Sequence, residues 1–308
     1  MQQSEIVIHD NRVYHLGLKK GELASNIFLV GDPARCYKVA SLFDRIDHEI
    51  KNREYVTLTG SYQGLPVSVI GTGIGTDNVE IALLEIYTLL EFDFHTKLRS
   101  SDRPNVNLIR IGTSGGVQAD LPAGTMAIAD YTLGMDSTGL YYDHPAEDDT
   151  LEKIEVMANQ LLLDATPDHA RFKGKIITYA SKASTKVTEA LIHQAEKTNT
   201  SYACGITASS PGFYGPSARY IEGLKNSIPK VKEVLAQLDV EGKKVINMEM
   251  ESSLLFHICA PLSYHAGTIC PIISNPYSSD DLIDYDSVIG RAIEIALSAM
   301  VKLCSDSK

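Results

Sequence analysis

The chain has 308 residues, of which 44% are hydrophobic and 22% charged, a composition typical of a globular protein with a substantial core. Its formal net charge of -11 argues against a nucleic-acid-binding surface, although a local basic pocket for a small anion remains compatible with it. No apolar run is long enough to cross a membrane, so we expect no membrane partner.

The cysteines and the first residues indicate a cytoplasmic protein. The five cysteines are scattered and lack the spacing of metal ligands, as expected of reduced thiols. Residues 1–5 lack the basic and apolar regions of a signal peptide. We therefore expect a cytoplasmic location, no disulfides and no metal site.

Strands and helices are predicted to alternate along the chain. The predicted strands lie at 26–30, 55–62, 66–70, 107–111, 125–131, 173–179, 202–207, 245–248 and 268–274. The predicted helices lie at 35–43, 77–91, 151–163, 184–197, 249–258 and 288–303. Because several strands are almost wholly apolar, we expect one α/β domain, residues 1–308, with a buried mixed sheet.

Three segments depart from this alternation. Residues 136–171 are acidic and poor in β-branched residues, which predicts a surface insertion with a packing or oligomer role. Residues 208–219 are too rich in Gly and Pro for a regular element and should form a long loop suited to hold a planar heterocycle. Residues 277–285 are polar and could serve as a lid.

The strand at 107–111 leads into a loop that suits an anion. Arg110 lies at its carboxyl end, where ligands bind in α/β proteins. Residues 113–116, Thr-Ser-Gly-Gly, add two hydroxyls and two glycines that let the backbone approach a ligand. The alternative is an ordinary corner whose arginine forms a structural ion pair.

A second anion-binding pattern lies near the N-terminus. The strand at 26–30 ends at Gly31, and Arg35 lies in the first turn of the following helix. Because a cation is slightly unfavourable at the positive end of a helix dipole, an anionic ligand explains Arg35 better than chance does.

Two glutamates follow the strand at 245–248. Glu249 and Glu251 are predicted in the first turn of the next helix, with Met250 between them. The helix dipole is a full structural explanation for one acid at this position. Two acids and a methionine at the mouth of a sheet are a less common combination.

Three motifs together resemble the signatures of the nucleoside phosphorylase-I family. They are Val30–Arg35 (VGDPAR), Arg110–Gly116 (RIGTSGG) and Asn247–Ser252 (NMEMES). The likeness is greatest to the uridine phosphorylase branch and extends from about His15 to the last helix. It implies a three-layer α/β/α fold with a central mixed sheet, and the reversible phosphorolysis of a pyrimidine nucleoside to the free base and ribose 1-phosphate.

The resemblance also implies a role for each matching residue. Phosphate binding falls to Gly31, Arg35, Arg110, Thr113 and, from a neighbouring subunit, Arg53. Ribose binding falls to Met250, Glu251 and the neighbour's His15, and base binding to Phe213, Ser217 and Arg219. The catalytic residues would be Arg110, Glu251 and Arg219. The ligands would be a nucleoside and inorganic phosphate without a cofactor, and the shared sites imply at least a homodimer.

Phosphorolysis explains why these residue types are needed. Phosphate attacks C1′ while the C1′–N bond breaks, through an oxocarbenium-like ribosyl group, and negative charge leaves on the base. Arginines position the phosphate, a carboxylate steadies the electron-poor sugar, and hydrogen-bond donors stabilise the departing base.

Ser217 departs from the family pattern. Uridine phosphorylases usually carry a glutamine there, two residues before the loop arginine, which binds the uracil N3–H and O2 together. A serine cannot make both bonds, and an unpaired buried group costs about 1–3 kcal/mol. Either a water fills the gap, the base differs, or the enzyme is weak.

Three alternatives remain open. A purine nucleoside phosphorylase would place an aspartate after the last core strand, where this chain has Ser274 and Asn275. A hydrolytic nucleosidase would leave the phosphate-holding arginines without a role. A catalytically silent nucleoside-binding homologue is disfavoured by Arg35, Arg110 and Glu251, whereas Ser217 is mildly in its favour.

Overall fold

The computed structural model describes residues 4–146, 148–277 and 283–305. Its strands are β1 (Ile8–His9), β2 (Arg12–Val13), β3 (Asn26–Val30), β4 (Arg45–Asn52), β5 (Tyr55–Tyr62), β6 (Leu65–Gly71), β7 (Asn107–Ile111), β8 (Ser114–Gly116), β9 (Met126–Gly134), β10 (Tyr179–Lys182), β11 (Tyr202–Ser209), β12 (Asp239–Val240), β13 (Lys243–Glu249) and β14 (His265–Ser274). Its helices are α1 (Pro33–Ala40), α2 (Thr76–Glu91), α3 (Asp149–Ala165), α4 (Thr185–Lys197), α5 (Val231–Leu235), α6 (Ser252–Leu262) and α7 (Tyr285–Ser305), with 3-10 turns at Gly139–Tyr141 and Gly215–Ser217.

One mixed sheet of 12 strands runs through the molecule. Its order is β10-β9-β11-β13-β8-β14-β7-β3-β6-β5-β4, with β12 paired to β13. The strands β6, β3, β7 and β14 are parallel to one another, whereas β4, β5 and β6 form an antiparallel meander at one edge. Nearly all residues of the central strands β3 and β7 are buried on both faces, as expected of parallel strands covered by helices.

Part of the sheet closes on itself. β9 pairs with β11 on one side and also with β14, where Ile128 faces Ile269. The strands β9, β11, β13, β8 and β14 therefore form a closed ring, a feature that strand prediction alone does not reveal. The end of β13 lies near that of β7, since Glu249 is 3.2 Å from Arg110.

Helices cover both faces of the sheet. From β3, Phe28 and Val30 pack with residues of α1, α4 and α7, whereas Ile27 and Leu29 pack with residues of α2 and α6. This alternation follows from the two-residue period of a strand. The expected three-layer α/β/α architecture with a mixed central sheet is confirmed.

Some element boundaries were predicted wrongly. The strand expected at 173–179 begins only at Tyr179, because Tyr179 pairs with the last residue of β9, Gly134, and the preceding residues have no partner strand. The helix expected from Glu249 begins at Ser252, since Glu249 still pairs with Ser209 in the sheet. β4 was not expected at all, because most of its residues are exposed and it lacks an apolar face.

The expected loop after β7 is shorter than predicted. Residues 114–116 form β8, which pairs with β13 and β14. Only Gly112 and Thr113 remain as the turn between β7 and β8. Two glycines of this motif, Gly115 and Gly116, thus belong to the sheet, and Gly112 lies in the turn.

The acidic segment 136–171 contains α3 and one 3-10 turn. Leu151, Ile154, Ala158 and Leu162 of α3 are buried in a core cluster with residues of β9 and β10. Of the predicted lid at 277–285, residues 278–282 lie outside the described part of the chain, and Tyr285 begins α7. Within the described ranges, no helix is both long and apolar enough to cross a membrane.

Candidate active site

Residues on or just after seven strands, β3, β6, β7, β8, β11, β13 and β14, surround a cavity of about 810 Å³. Nine of the residues predicted for the site line it: Gly31, Arg35, Arg110, Thr113, Phe213, Ser217, Arg219, Met250 and Glu251. His15 and Arg53, predicted to act from a neighbouring subunit, do not line it. The three motifs, which are far apart in the chain, therefore meet in one place.

Arg35 forms one end of the cavity. The Asp32 carboxylate accepts from the Ala34 N–H at 2.8 Å and caps α1, while Pro33 at its first position fits the required backbone angle. Arg35 is buried, and its guanidinium donates to the Ile111 carbonyl and to the Tyr285 hydroxyl, each at 3.0 Å. Both partners are neutral, so the guanidinium keeps its full charge for an anion.

Arg110, on β7, lies between two carboxylates, those of Glu249 at the end of β13 and of Glu251 at the start of α6. It is 4% exposed, contacts Glu251 closely, and has one guanidinium nitrogen 3.2 Å from Glu249. A Cβ on Gly112 would lie 2.0 Å from Arg110 Nη1, so only glycine leaves room for the guanidinium. Burial alone would lower the pKa of Arg110, but the charges of Glu251 and Glu249 raise it.

Glu251 occupies the middle of the cavity. Its carboxylate accepts from the Gly75 N–H at 2.8 Å, and Gly75 has a φ of +100°, a conformation that strongly favours glycine. Burial raises the pKa of Glu251, Arg110 opposes this change, and Glu249 adds to it. The carboxylate is thus held in place by the backbone and by one arginine, with its remaining acceptor capacity facing the cavity.

Glu249 links Arg110 to β11 and to the start of α6. It accepts from the Ser209 hydroxyl at 2.5 Å and from the backbone N–H of Glu251 at 3.1 Å and Ser252 at 3.0 Å. These bonds fix both Arg110 and the start of α6. The sequence indicates the pair of glutamates but not the anchoring role of Glu249, because its contacts with Ser209 and Arg110 join separate strands.

The loop after β11 forms the opposite end of the cavity. The Arg219 guanidinium lies 4.0 Å from the centroid of the Phe213 ring and donates through Nε to the Phe213 carbonyl at 3.0 Å. The Ser217 hydroxyl donates to the Gly212 carbonyl at 3.4 Å. This contact is long, and the same carbonyl accepts from the Ser210 hydroxyl at 2.7 Å, so the Ser217 hydroxyl remains available to a ligand in the cavity.

Lys232 also lines this end, and sequence reasoning missed it. It lies in α5, a five-residue helix in a segment that carried no motif. Burial, together with the Arg219 charge, lowers the pKa of Lys232, against a smaller opposing effect of Glu233. A pattern of charge in the sequence could not have found it, because the neighbouring Lys230 is exposed and looks the same.

His15 and Arg53 lie together elsewhere on the surface. Arg53 donates to the Tyr14 hydroxyl at 2.8 Å, and Nδ1 of His15 lies 2.8 Å from a Glu85 carboxylate oxygen. The Asn52 amide donates to the His15 carbonyl at 2.7 Å. The two residues are thus fixed side by side by hydrogen bonds, outside this subunit's own cavity.

The end of β14 carries no carboxylate at the cavity. Ser274 lines the cavity, and the Asn275 amide donates to the carbonyls of Gln118 and Leu121, each at 2.8 Å. In the described residues, no group of three or more His, Cys, Asp or Glu side chains could hold a metal ion. The groups available for chemistry are therefore cations, carboxylates and backbone donors.

The arrangement has a clear chemical order. Along the sheet, Arg35 follows β3 and Arg110 lies on β7, the Glu251 carboxylate follows β13, and the Phe213 ring and Arg219 follow β11. Such a cavity suits an elongated ligand that carries an anion, a hydroxylated group and a planar ring with carbonyl acceptors.

Comparisons with known proteins agree with this geometry. The sequence pattern of the phosphorylase superfamily matches residues 26–302. The chain is 30% identical over 296 residues to uridine phosphorylase of Treponema pallidum, covering 93% of this chain and 92% of the relative. It is 28% identical over 267 residues to uridine phosphorylase of Thermococcus kodakarensis, covering 87% of this chain and 79% of the relative.

A solved structure is similar over almost the whole chain. It is a Trypanosoma brucei nucleoside phosphorylase described as showing uridine phosphorylase activity, with a TM-score of 0.84, 28% identity, and coverage of 97% of this chain and 100% of that one. The predicted family and the predicted enzyme class, a nucleoside phosphorylase, are confirmed. With its motifs assembled around one cavity, the chain belongs to the phosphorylase superfamily.

Proposed function

We propose that the chain is a uridine phosphorylase, a pentosyltransferase that converts a pyrimidine nucleoside and phosphate reversibly to the free base and ribose 1-phosphate. The observation that carries this proposal is the order of groups in the cavity, from Arg35 and Arg110 through Glu251 to Phe213 and Arg219. This order matches a phosphate, a ribose and a base lying in line.

Phosphate is assigned to the end with the arginines. Arg35 offers a charge with only neutral partners, Arg110 lies beside Gly31, and Thr113 adds a hydroxyl. The backbone at Gly31 opens toward the positive end of α1, which favours an anion. Bound phosphate would be a third anionic partner of Arg110. The arginines would orient the phosphate for its attack on C1′.

Ribose is assigned to Glu251 and Met250. The Glu251 carboxylate would accept from the 2′- and 3′-hydroxyls, and its negative charge would stabilise the oxocarbenium-like sugar as the glycosidic bond breaks. The Gly75 N–H holds the carboxylate in position for this task. Met250 lines the cavity next to it and supplies an apolar surface for the sugar.

The base is assigned to the loop that carries Phe213, Ser217 and Arg219. Phe213 is 54% exposed, so its ring can pack on a pyrimidine that enters the cavity. Arg219 would donate to a uracil carbonyl. Ser217 takes the place of the family glutamine, and its single hydroxyl cannot make both contacts of that amide to the base at once.

We further propose that His15 and Arg53 complete the site of a neighbouring subunit in a homodimer. Their fixed positions side by side, outside the cavity of their own subunit, support this role. Arg53 would reach the phosphate and His15 the 5′-hydroxyl. We also propose a cytoplasmic location, in keeping with five free cysteines.

A purine nucleoside phosphorylase is the second candidate. An enzyme of that type needs a proton donor for N7 at the end of β14. Ser274 and Asn275 provide no carboxylic acid there, and the Asn275 amide is already bound to two carbonyls. The absence of an acid at this position favours a pyrimidine base.

The proposal is tested by base release from a panel of uridine, thymidine, cytidine, inosine and adenosine, with and without phosphate. We expect uracil release that requires phosphate. Release from a purine nucleoside would assign the second candidate, and release without phosphate would indicate a nucleosidase. Binding of nucleosides without release of any base would indicate a catalytically silent homologue.

The shared site is tested by mixing two inactive variants. Arg53→Ala and Arg110→Ala should each lose most activity as homodimers. After unfolding and refolding together, mixed dimers contain one intact site, so about a quarter of the parental activity should return. No recovery in mixed dimers confirmed by tagged subunits would show that Arg53 acts within its own subunit.

A further inference from the structure

Lys232 is a cation in the cavity to which the family roles assign nothing. Its helix, α5, is anchored by Val231, Val234 and Leu235, which are buried in the core cluster beneath the loop. Lys232 lies between them in sequence, is half-buried and lines the cavity. The helix therefore holds the base of this flexible side chain firmly while its ammonium group reaches the ligand space.

The ammonium group lies beside the floor of the cavity. A Cβ built on Gly115 would lie 3.9 Å from Lys232 Nζ, and 3.8 Å from the Ser274 carbonyl oxygen. Because Gly115 has no side chain, the space above β8 stays open to the ammonium. Lys232 thus faces the end of the cavity that also contains Arg219 and Ser274.

Two cations lie near each other at this end, and the Glu233 charge only partly offsets their repulsion at Lys232. Neither Lys232 nor Arg219 forms an ion pair with any residue that the structure describes; Arg219 donates only to the Phe213 carbonyl. Their mutual repulsion contributes to the lowered pKa of Lys232, after the larger effect of burial. A ligand that brings negative charge or carbonyl oxygens to this end would relieve that repulsion.

Phosphate is not that ligand. Lys232 lies beside β8, whereas Arg35 follows β3, and β14 and β7 lie between these strands in the sheet. The cation whose charge acts on Lys232 is Arg219 of the loop assigned to the base, and neither Arg35 nor Arg110 acts on it in this way. The base is therefore the part of the nucleoside that would lie beside Lys232.

We infer that Lys232 donates to a carbonyl oxygen of the pyrimidine and stabilises the negative charge of the departing base, an assignment that rests on the proposed function. As a phosphate oxygen forms its bond to C1′, the C1′–N1 bond breaks and its electron pair moves onto N1. The charge spreads over O2 and O4, and water later protonates the released base. Lys232 and Arg219 place two cations where this charge develops.

This role also explains how the chain manages without the family glutamine. Ser217 has one hydroxyl where the family glutamine has an amide, so the loop offers fewer contacts to the base. Lys232 supplies a donor from a different element. Because an ammonium donates but cannot accept, it selects bases with carbonyl oxygens over bases with amino groups at the same edge.

The test compares Lys232→Met with the matched control Lys230→Met, which removes an exposed lysine two residues away. Both proteins are assayed with uridine and with 5-fluorouridine, whose base is a more stable anion and needs less help in leaving. We expect Lys232→Met to lower kcat/KM about 10²-fold for uridine and about tenfold or less for 5-fluorouridine. The KM for phosphate should not change, and Lys230→Met should match the parent.

The outcomes separate this inference from the proposed function. If the parent releases uracil from uridine with phosphate but Lys232→Met loses activity equally on both nucleosides, Lys232 has only a structural role. An unchanged kcat/KM, or a raised KM for phosphate, would likewise overturn the inference and leave the phosphorylase assignment intact. No phosphate-dependent release by the parent would overturn both.

Discussion

Glu251→Gln removes one negative charge from the centre of the cavity and keeps the shape of the side chain. The amide oxygen can still accept from the Gly75 N–H, which lies 2.8 Å from the carboxylate in the parent. Arg110 keeps Glu249, 3.2 Å away, as its acidic partner. The substitution therefore tests the charge of Glu251 with little change in the packing around it.

The expected loss follows from the contacts assigned to this carboxylate. Two charge-assisted hydrogen bonds to the ribose hydroxyls, each worth about 1.5–3 kcal/mol, are weakened when the acceptor becomes neutral. A combined loss of about 3–4 kcal/mol corresponds to a fall of about 10²–10³-fold in kcat/KM for uridine. With 2′-deoxyuridine one of the two bonds does not exist, so its loss should be about tenfold smaller.

The assay measures kcat/KM for both nucleosides at saturating phosphate, with Glu189→Gln as the control. Glu189 is an exposed glutamate of α4, far from the cavity in the fold. The preference of the enzyme for uridine over 2′-deoxyuridine should fall about tenfold in the Glu251 variant and stay unchanged in the control. Equal losses on both nucleosides would refute the contact with the 2′-hydroxyl.

The stability of the same variant gives an independent check. The folded state raises the pKa of Glu251, so near neutral pH the fold disfavours its charged form relative to the unfolded chain. A neutral glutamine resembles the form that the fold prefers. Glu251→Gln should therefore be at least as stable as the parent at pH 7, and a large fall in Tm would contradict this account of its electrostatics.

Three further predictions follow from individual contacts. Ser217→Gln should raise kcat/KM for uridine, because the amide restores two contacts to the base, and a loss of activity would mean that the pocket is built for another base. Gly112→Ala should raise the KM for phosphate and destabilise the fold by about 1–3 kcal/mol, because the new Cβ would lie 2.0 Å from Arg110 Nη1; normal phosphate kinetics would contradict the described geometry. Burial lowers the pKa of His257 from 6.5, so the fold prefers the neutral imidazole. The stability that comes from this preference is fully present above pH 6.5 and is lost as the pH falls and the imidazole becomes protonated. Urea midpoints of the parent should therefore fall from pH 7.5 to 5 more steeply than those of His257→Gln, and parallel slopes would exclude this role.

The motifs could be read from the sequence because their chemistry is local. The capped helix after Gly31 and the small residues after Arg110 each fix a short backbone geometry, whatever packs around them. Their meeting at one edge follows from the rule that ligands bind at the carboxyl ends of parallel strands. The three-layer fold was predictable for this reason, and nine of the residues that the family resemblance assigned to the site line the cavity.

Other features depend on contacts that only the folded chain creates. The pairing of β9 with β14 closes part of the sheet, and no local pattern encodes it. Lys232 reaches the cavity because α5 packs under the base loop, and its sequence resembles that of an ordinary surface helix. Residues 173–178 include the exposed, β-branched Ile177, which predicted a strand, but the sheet offers it no partner.

The most direct test of the central claim follows uridine and inorganic phosphate together in one reaction by phosphorus NMR and by absorbance of the base. The account predicts that one phosphate is consumed, and one ribose 1-phosphate formed, for each uracil released. It also predicts that adding uracil and ribose 1-phosphate regenerates uridine. Uracil release with the phosphate signal unchanged would contradict it, because C1′ would then have been attacked by water.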